Sequence, residues 1–153
     1  MRASKAMGIL LGAALLSCVA CTSDALYVRN ETLGEARWDK EDTLRFDVAV
    51  EDTDCVAQVS LHLRTSTEYP YKSLKVMVEE RTTGGNFRKY PVWFATASDD
   101  GSRNGRRMTY SDLEKPLGSR RLKKDDTLHV KVYHKMRRLV LPGVVSVGVR
   151  AGE

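Results

Sequence analysis

The chain has 153 residues, 42% of them hydrophobic and 29% charged. That is enough for one domain burying about two thirds of its unfolded surface, with no need of a second. Lys and Arg number 25 against 20 Asp and Glu, a formal net charge of +5, too mild an excess to point to nucleic acid and better suited to solubility or weak attraction to anionic lipid.

Met1 to Lys5 is basic, Ala6 to Leu16 is apolar but too short to cross a bilayer, and small residues follow. This is the three-part layout of an export signal. The ordinary small-x-small cleavage site is absent. Leu15-Leu16-Ser17-Cys18 and Cys18-Val19-Ala20-Cys21 instead resemble the lipobox cut by bacterial lipoprotein signal peptidase. Cys18 is the expected lipidation site, having Leu three residues before it and a small residue just before it. Cys21, with Cys at the leucine position, is the alternative. Several acyl chains on one cysteine, at about 0.8 kcal/mol per buried methylene, hold a protein on a membrane, where one chain alone is marginal. Loss of Arg2 and Lys5 with the signal lowers the net charge to +3, 23 basic residues against 20 acidic. The expected division is a signal peptide over 1–17, a lipidated amino terminus and tether over 18–35, and one folded domain over 36–153. No later segment approaches the about 18 apolar residues of a membrane span.

The body alternates with the period of a strand. Leu44, Phe46, Val48 and Val50 face one way and Arg45 and Asp47 the other; Leu74, Val76 and Val78 oppose Lys75 and Met77. Cys55, Ala57, Val59, Leu61 and Leu63 share one side of a further segment, so Cys55 opens a core-facing row as a small hydrophobe. Tyr90 to Ala95 reads as a strand that Pro91 confines to an edge or a strand start. Leu128, Val130 and Val132 alternate with His129, Lys131 and Tyr133, and Val145, Val147 and Val149 form a last strand. Turn residues separate them: Thr82-Thr83-Gly84-Gly85-Asn86 as a hairpin, Ser98-Asp99-Asp100-Gly101 opening a polar loop, and Pro142-Gly143. Ser111 to Leu117 is the one short helical candidate. The expected fold is all-β, a single antiparallel β-sandwich of jelly-roll or immunoglobulin-like type.

Lys40-Glu41-Asp42-Thr43-Leu44 and Lys124-Asp125-Asp126-Thr127-Leu128 echo one another. A shared turn leading into a strand accounts for the echo; the Asp-Thr-Leu triplet also resembles the O-glycosylation motif of Bacteroidetes exported proteins, which would modify Thr43 or Thr127. No Cys or His pair stands at metal spacing, and there is neither a Gly-x-Ser-x-Gly elbow nor a phosphate loop. The residues therefore predict no enzyme, no cofactor and no metal. His62 and His129 fall on solvent-facing strand positions, and His134 lies in the basic stretch Lys131 to Arg138. Two basic clusters, Arg103, Arg106 and Arg107 in the long loop and Arg120, Arg121, Lys123 and Lys124 further on, read as solvated surface or as a site for phosphates or an acidic partner. Trp38, Tyr69 and Tyr71 lie at predicted loops or strand ends, where they either stack on sugars, anchor a protein interface, or pack beneath the loops.

From His134 to Val149 the sequence is specific: Met136-Arg137 is followed by Leu141-Pro142-Gly143 and a Val147-Gly148 strand. This resembles the closing motif of the gliding-motility lipoprotein GldH family of Bacteroidetes. The lipobox, Trp38 with its charged turn and Phe46, Leu63-Arg64, Tyr69-Pro70-Tyr71 with Leu74, Asp100-Gly101 and Gly105 fall in the same order. The long loop departs from the pattern, having arginines and no Trp between Gly101 and Gly105. The resemblance implies a lipid-anchored envelope protein, in or near the outer membrane, that assists gliding and the type IX secretion machinery through protein partners and without catalysis; a surface glycan-binding lipoprotein is the alternative. Adjacent Met136 and Arg137, if extended, face opposite ways, one into packing and one outward, so Arg137 either pairs inside the fold or presents its fork to a partner.

Overall fold

A computed structural model describes residues 25–152. The signal segment and both lipidation candidates, Cys18 and Cys21, lie outside them. In chain order the elements are β1 (Ala25–Thr32), a 3-10 turn (Gly34–Ala36), β2 (Arg37–Asp39), β3 (Leu44–Ala49), β4 (Cys55–Ser66), β5 (Ser73–Thr82), β6 (Phe87–Ala95), β7 (Tyr110–Leu122), β8 (Thr127–His134), β9 (Val140–Pro142) and β10 (Val144–Gly152). They form a back sheet of order β1-β10-β4-β7, a front sheet of order β3-β8-β5-β6 and a two-stranded β2-β9 ribbon, with every neighbouring pair antiparallel. This is the all-β sandwich expected, and its interleaved strand order is that of a jelly roll.

The alternating rows set the register, because a slip by one residue would turn each row to solvent. Phe46, Val48, Leu74, Val76, Val78, Leu128 and Val132 of the front sheet meet Ala57, Val59, Leu61, Leu63, Val147 and Val149 of the back sheet in one core, and Cys55 is buried at the start of its row. Each fully buried aliphatic or Phe side chain contributes about 1.5–3 kcal/mol. Both prolines inside long strands sit on edges, Pro91 on β6 and Pro116 on β7, where a missing ladder donor costs least.

Two expectations are corrected. Ser111 to Leu117 is not helical but part of β7, paired with β4 from Cys55↔Leu122 to Ser66↔Tyr110; tertiary pairing overrides a weak local preference. The stretch 18–35 is not tether throughout, since from Ala25 it is β1, an edge strand on β10. That contact depends on Gly148. A Cβ there would lie 2.7 Å from the Arg29 carbonyl oxygen and against the Asn30 side chain, so the expected close backbone approach is the packing of β1 on β10.

The sandwich has two unlike ends. At the entry end Ala25 pairs with Gly152, which is opposite Gln58, and Leu26, Val50 and Cys55 line one depression. Connections here are short: 50–54, 83–86 and 123–126. The opposite end carries the β2-β9 ribbon and the long loops 67–72, 96–109 and 135–139. The echoed motifs lie at opposite ends of the β3-β8 pair, each closing a turn, with Asp42 N–H on the Asp39 carbonyl at 3.1 Å and Asp126 N–H on the Lys123 carbonyl at 3.0 Å. Both motifs therefore close a four-residue turn, but the backbone differs, since Asp125 takes φ +64 where its counterpart Glu41 has no positive φ. Thr43 and Thr127 are both half-buried.

Candidate functional site

The structure gathers most of the residues singled out from sequence at the loop end. Its floor is aromatic and rigid. Trp38, opposite Leu141 in the β2-β9 ribbon, is fully buried; it donates its indole N–H to the Asp42 carbonyl at 3.1 Å and meets the His134 ring edge-on, centroids 5.5 Å apart. Tyr69 is also fully buried, donating its hydroxyl to the Ser73 carbonyl at 2.9 Å, and burial followed by the neighbouring Tyr71 pushes its pKa up. Tyr71, half-buried, packs edge-on against it at 5.6 Å. Gly143, at φ +79, is fixed by this floor, because a Cβ would come 2.6 Å from Tyr69 Cα. Trp38 and Tyr69 therefore have no ring face to offer a sugar, and of the alternatives read from the sequence they take the packed floor beneath the loops.

The arginine loop divides. Arg103 donates to the Tyr69 carbonyl and, at 3.5 Å, to that of Thr67, while Asn104 donates to the Ala95 carbonyl at 2.8 Å and Thr96 donates its hydroxyl to the Tyr71 carbonyl at 2.7 Å. In the sequence Arg103 reads with Arg106 and Arg107 as solvated surface or a partner site; here it is a brace between the loop and the tyrosine floor, serving carbonyls that no strand partners. Arg106 and Arg107 are exposed, as expected, beside Met108 at 94% exposure.

The second loop follows β8. Met136 packs against the core and its sulfur accepts the Lys75 N–H at 3.5 Å, while Arg137 and Arg138 are exposed and Leu139 is 70% exposed. The opposed facing of Met136 and Arg137 is as expected, and Arg137 makes no ion pair among the described residues. His134, within the basic stretch Lys131 to Arg138, is fully buried behind Trp38; neither ring nitrogen has a hydrogen bond of ordinary geometry. Burial holds its pKa below the usual histidine value, with backbone groups of Leu139 and Trp38 opposing the shift only in part.

Other expected positions resolve elsewhere. Arg120, read as part of a solvated cluster, is buried between the sheets against Glu80. His62 and His129 do face outward, near Glu114 at 3.4 Å and Asp47 at 2.6 Å. In the Leu63-Arg64 pair, Leu63 is core and Arg64 makes a two-point contact with Asp112 at 2.7 and 3.1 Å under the Tyr110 ring. Among the described residues no group of three His, Cys, Asp or Glu side chains is placed to hold a metal. The sequence reading missed Leu139, Met108, Phe87 and Trp93; Trp93 was legible as the outward residue between Val92 and Phe94 in a period-2 row.

Fold and site together define a small jelly-roll protein that presents arginines and apolar tips on a rigid loop end, a surface composition suited to protein recognition. The profile of the GldH lipoprotein family matches residues 25–151, so the match spans nearly all of both sheets. The chain belongs to the GldH lipoprotein family. It is 29% identical over 105 residues to the gliding motility lipoprotein GldH of Flavobacterium johnsoniae, a match covering 69% of this chain and 65% of that relative. The family description carries membrane attachment with it, and no helix among the described residues is long and apolar enough to cross a membrane.

Proposed function

We propose that this protein is anchored in the outer membrane by lipid on Cys18, or on Cys21 as the alternative, and works without catalysis as an accessory of gliding motility and the type IX secretion machinery. Its loop end is the partner surface. The observation that carries this is the placement of Arg106, Arg107, Met108, Arg137, Arg138 and Leu139, all exposed, over a packed aromatic floor at the end away from the chain entry. A rigid floor lowers the ordering cost of binding; exposed guanidiniums give a two-point match to carboxylates of a partner, and Leu139 and Met108 supply apolar contact. Asp-Thr-Leu at Thr43 and Thr127 is the proposed O-glycosylation signal, each following a tight turn.

The test is complementation of a deletion strain with Arg137→Gln and with Arg137→Gln/Arg138→Gln, scored for colony spreading and for secretion of type IX cargo, protein level being checked by immunoblot. Stable protein with lost function and lost cross-links to envelope proteins is expected. Full function of the double variant would remove the partner role from this loop.

A further inference from the structure

We infer that the outer face of the front sheet is a membrane-docking surface that lies on anionic phospholipid headgroups. The alternation that buries one side of each strand builds this face on the other. β5 turns Lys75, Glu79 and Arg81 outward, and the register sets them beside Trp93, Lys89 and Phe87 of β6. Lys131 and His129 of β8 lie on their other side, with Arg45 and Asp47 of β3 beyond. Six cations, Arg45, Lys75, Arg81, Lys89, Lys131 and Lys135, thus share one face with the carboxylates Asp47 and Glu79. Both carboxylates are already engaged, Asp47 by His129 at 2.6 Å, Glu79 by Lys89 at 2.9 Å and by the Tyr133 hydroxyl at 2.8 Å. The cationic excess is unanswered within the fold.

The aromatics decide which polyanion fits. Trp93 is 53% and Phe87 51% exposed, and each has a cation over its ring: Lys75 Nζ is 5.1 Å from the Trp93 centroid, the Arg81 guanidinium 5.1 Å from that of Phe87. Lys89 and Lys135 flank the Tyr133 ring likewise, at 5.8 and 5.3 Å. Those cations occupy the ring faces a sugar would stack on. Exposed rings in company with Lys and Arg are the composition of a membrane interface, where rings sit at headgroup depth and the cations meet phosphates.

Chain geometry agrees. β1 and β3 are the facing edges of the two sheets, and Tyr27 of β1 lies beside Asp47 of β3, so the chain enters the fold along one margin of this face. From Cys18 to Ala25 is seven residues, at most about 25 Å of extended chain. Resting here on the anchor reading, a body so tethered stays within reach of the bilayer, and docking by this face leaves the loop end free for its partner.

The test uses the full chain with its lipid, inserted in vesicles of phosphatidylcholine alone or mixed equally with phosphatidylglycerol, the phospholipids being brominated near the headgroup. Trp93 is read against Trp93→Phe, which leaves only buried Trp38 of the two tryptophans. Quenching of Trp93 about threefold stronger in the anionic vesicles, lost in high salt and in Lys75→Glu/Lys135→Glu, is expected. Equal quenching in both vesicles, or none, overturns the inference; so does a Trp93 response to soluble acidic polysaccharide without one to anionic lipid, which gives the face to a glycan. A chain that fails to insert counts against the anchor alone. Co-sedimentation of that unanchored chain with anionic but not neutral vesicles then supports docking, and no co-sedimentation overturns it.

Discussion

Arg120 of β7 reaches across the sandwich to Glu80 of β5, donating Nε to Oε2 at 2.6 Å and a terminal nitrogen to Oε1 at 2.9 Å. Tyr90 joins them, its hydroxyl donating to Glu80 at 2.6 Å and accepting from Arg120 at 2.9 Å. Carbonyls of Ser119 and Leu117 take further Arg120 protons. Burial alone would lower the Arg120 pKa, but Glu80 and Tyr90 together outweigh it and the guanidinium is held charged.

Removing one member strands a buried charge. Glu80→Gln and Arg120→Met are each expected to cost about 3–5 kcal/mol in denaturant unfolding. Replacing the set together, Glu80→Leu with Arg120→Met and Tyr90→Phe, is expected to recover most of that loss, since paired buried ions often contribute little beyond a packed apolar group. Single variants within about 0.5 kcal/mol of the parent would show the pair to be solvated.

Most of the core was legible because it rests on period-2 rows: Leu44 to Val50, Cys55 to Leu63 and Leu128 to Val132 needed only alternation to face inward. What was not legible depends on partners distant in sequence. Trp38 stands among Arg37, Asp39 and Lys40, and only the pairing of its strand with Leu141 covers it. Arg120 looked solvated among Arg121, Lys123 and Lys124, because Glu80 is 40 residues away. β7 reads as polar since it is an edge strand and its outward side chains meet water. The loop end was half legible: Arg106, Arg107 and Arg137 are exposed as expected, whereas the burial of Tyr69 follows from Gly143, whose approach no local pattern reveals.

Arg103 and its loop neighbours are separable by stability. Arg103→Gln takes a charged donor from the Tyr69 and Thr67 carbonyls and is expected to cost about 1.5–3 kcal/mol. Arg106→Gln/Arg107→Gln is expected to stay within about 0.5 kcal/mol. Thermal unfolding of the three proteins side by side gives the answer, and equal melting temperatures would return Arg103 to the exposed class.

β10 lies between β1 and β4 in the back sheet, so its loss strikes the centre of the fold. Deleting Val144 to Glu153 removes Val147, Val149 and Ala151 from the core and strands ladder groups on both neighbours. Insoluble or protease-sensitive protein is expected. Gly148→Val is the finer probe, forcing β1 away at Asn30 while leaving β4 paired. Hydrogen exchange should rise along Ala25 to Thr32 and hold at Val59 to Leu63, and uniform exchange would place the constraint elsewhere.

His134 ties stability to mild acid. Its folded-state pKa lies below the ordinary value of about 6.5, chiefly through burial, with Lys40 pushing further the same way and Asp39 opposing. The unfolded chain takes up the proton first as pH falls, so the stability this neutral ring contributes is complete above about pH 6.5 and is lost as pH drops through the folded value. One such group gives a slope of at most about 1.4 kcal/mol per pH unit. Glu79 and Asp100, whose pKa values are lowered by Lys89 and Ser102 respectively, lose their contributions only in more acidic solution, below the ordinary carboxylate values. The window between pH 7 and pH 5.5 therefore excludes these carboxylates, and His62 and His129, present in both proteins compared, cancel in the difference. His134→Phe keeps an aromatic ring against Trp38 and cannot titrate. Denaturant unfolding followed by tryptophan emission should show the parent losing stability across this window while His134→Phe changes less, and the two curves running parallel would mean that His134 is solvated and titrates alike in both states.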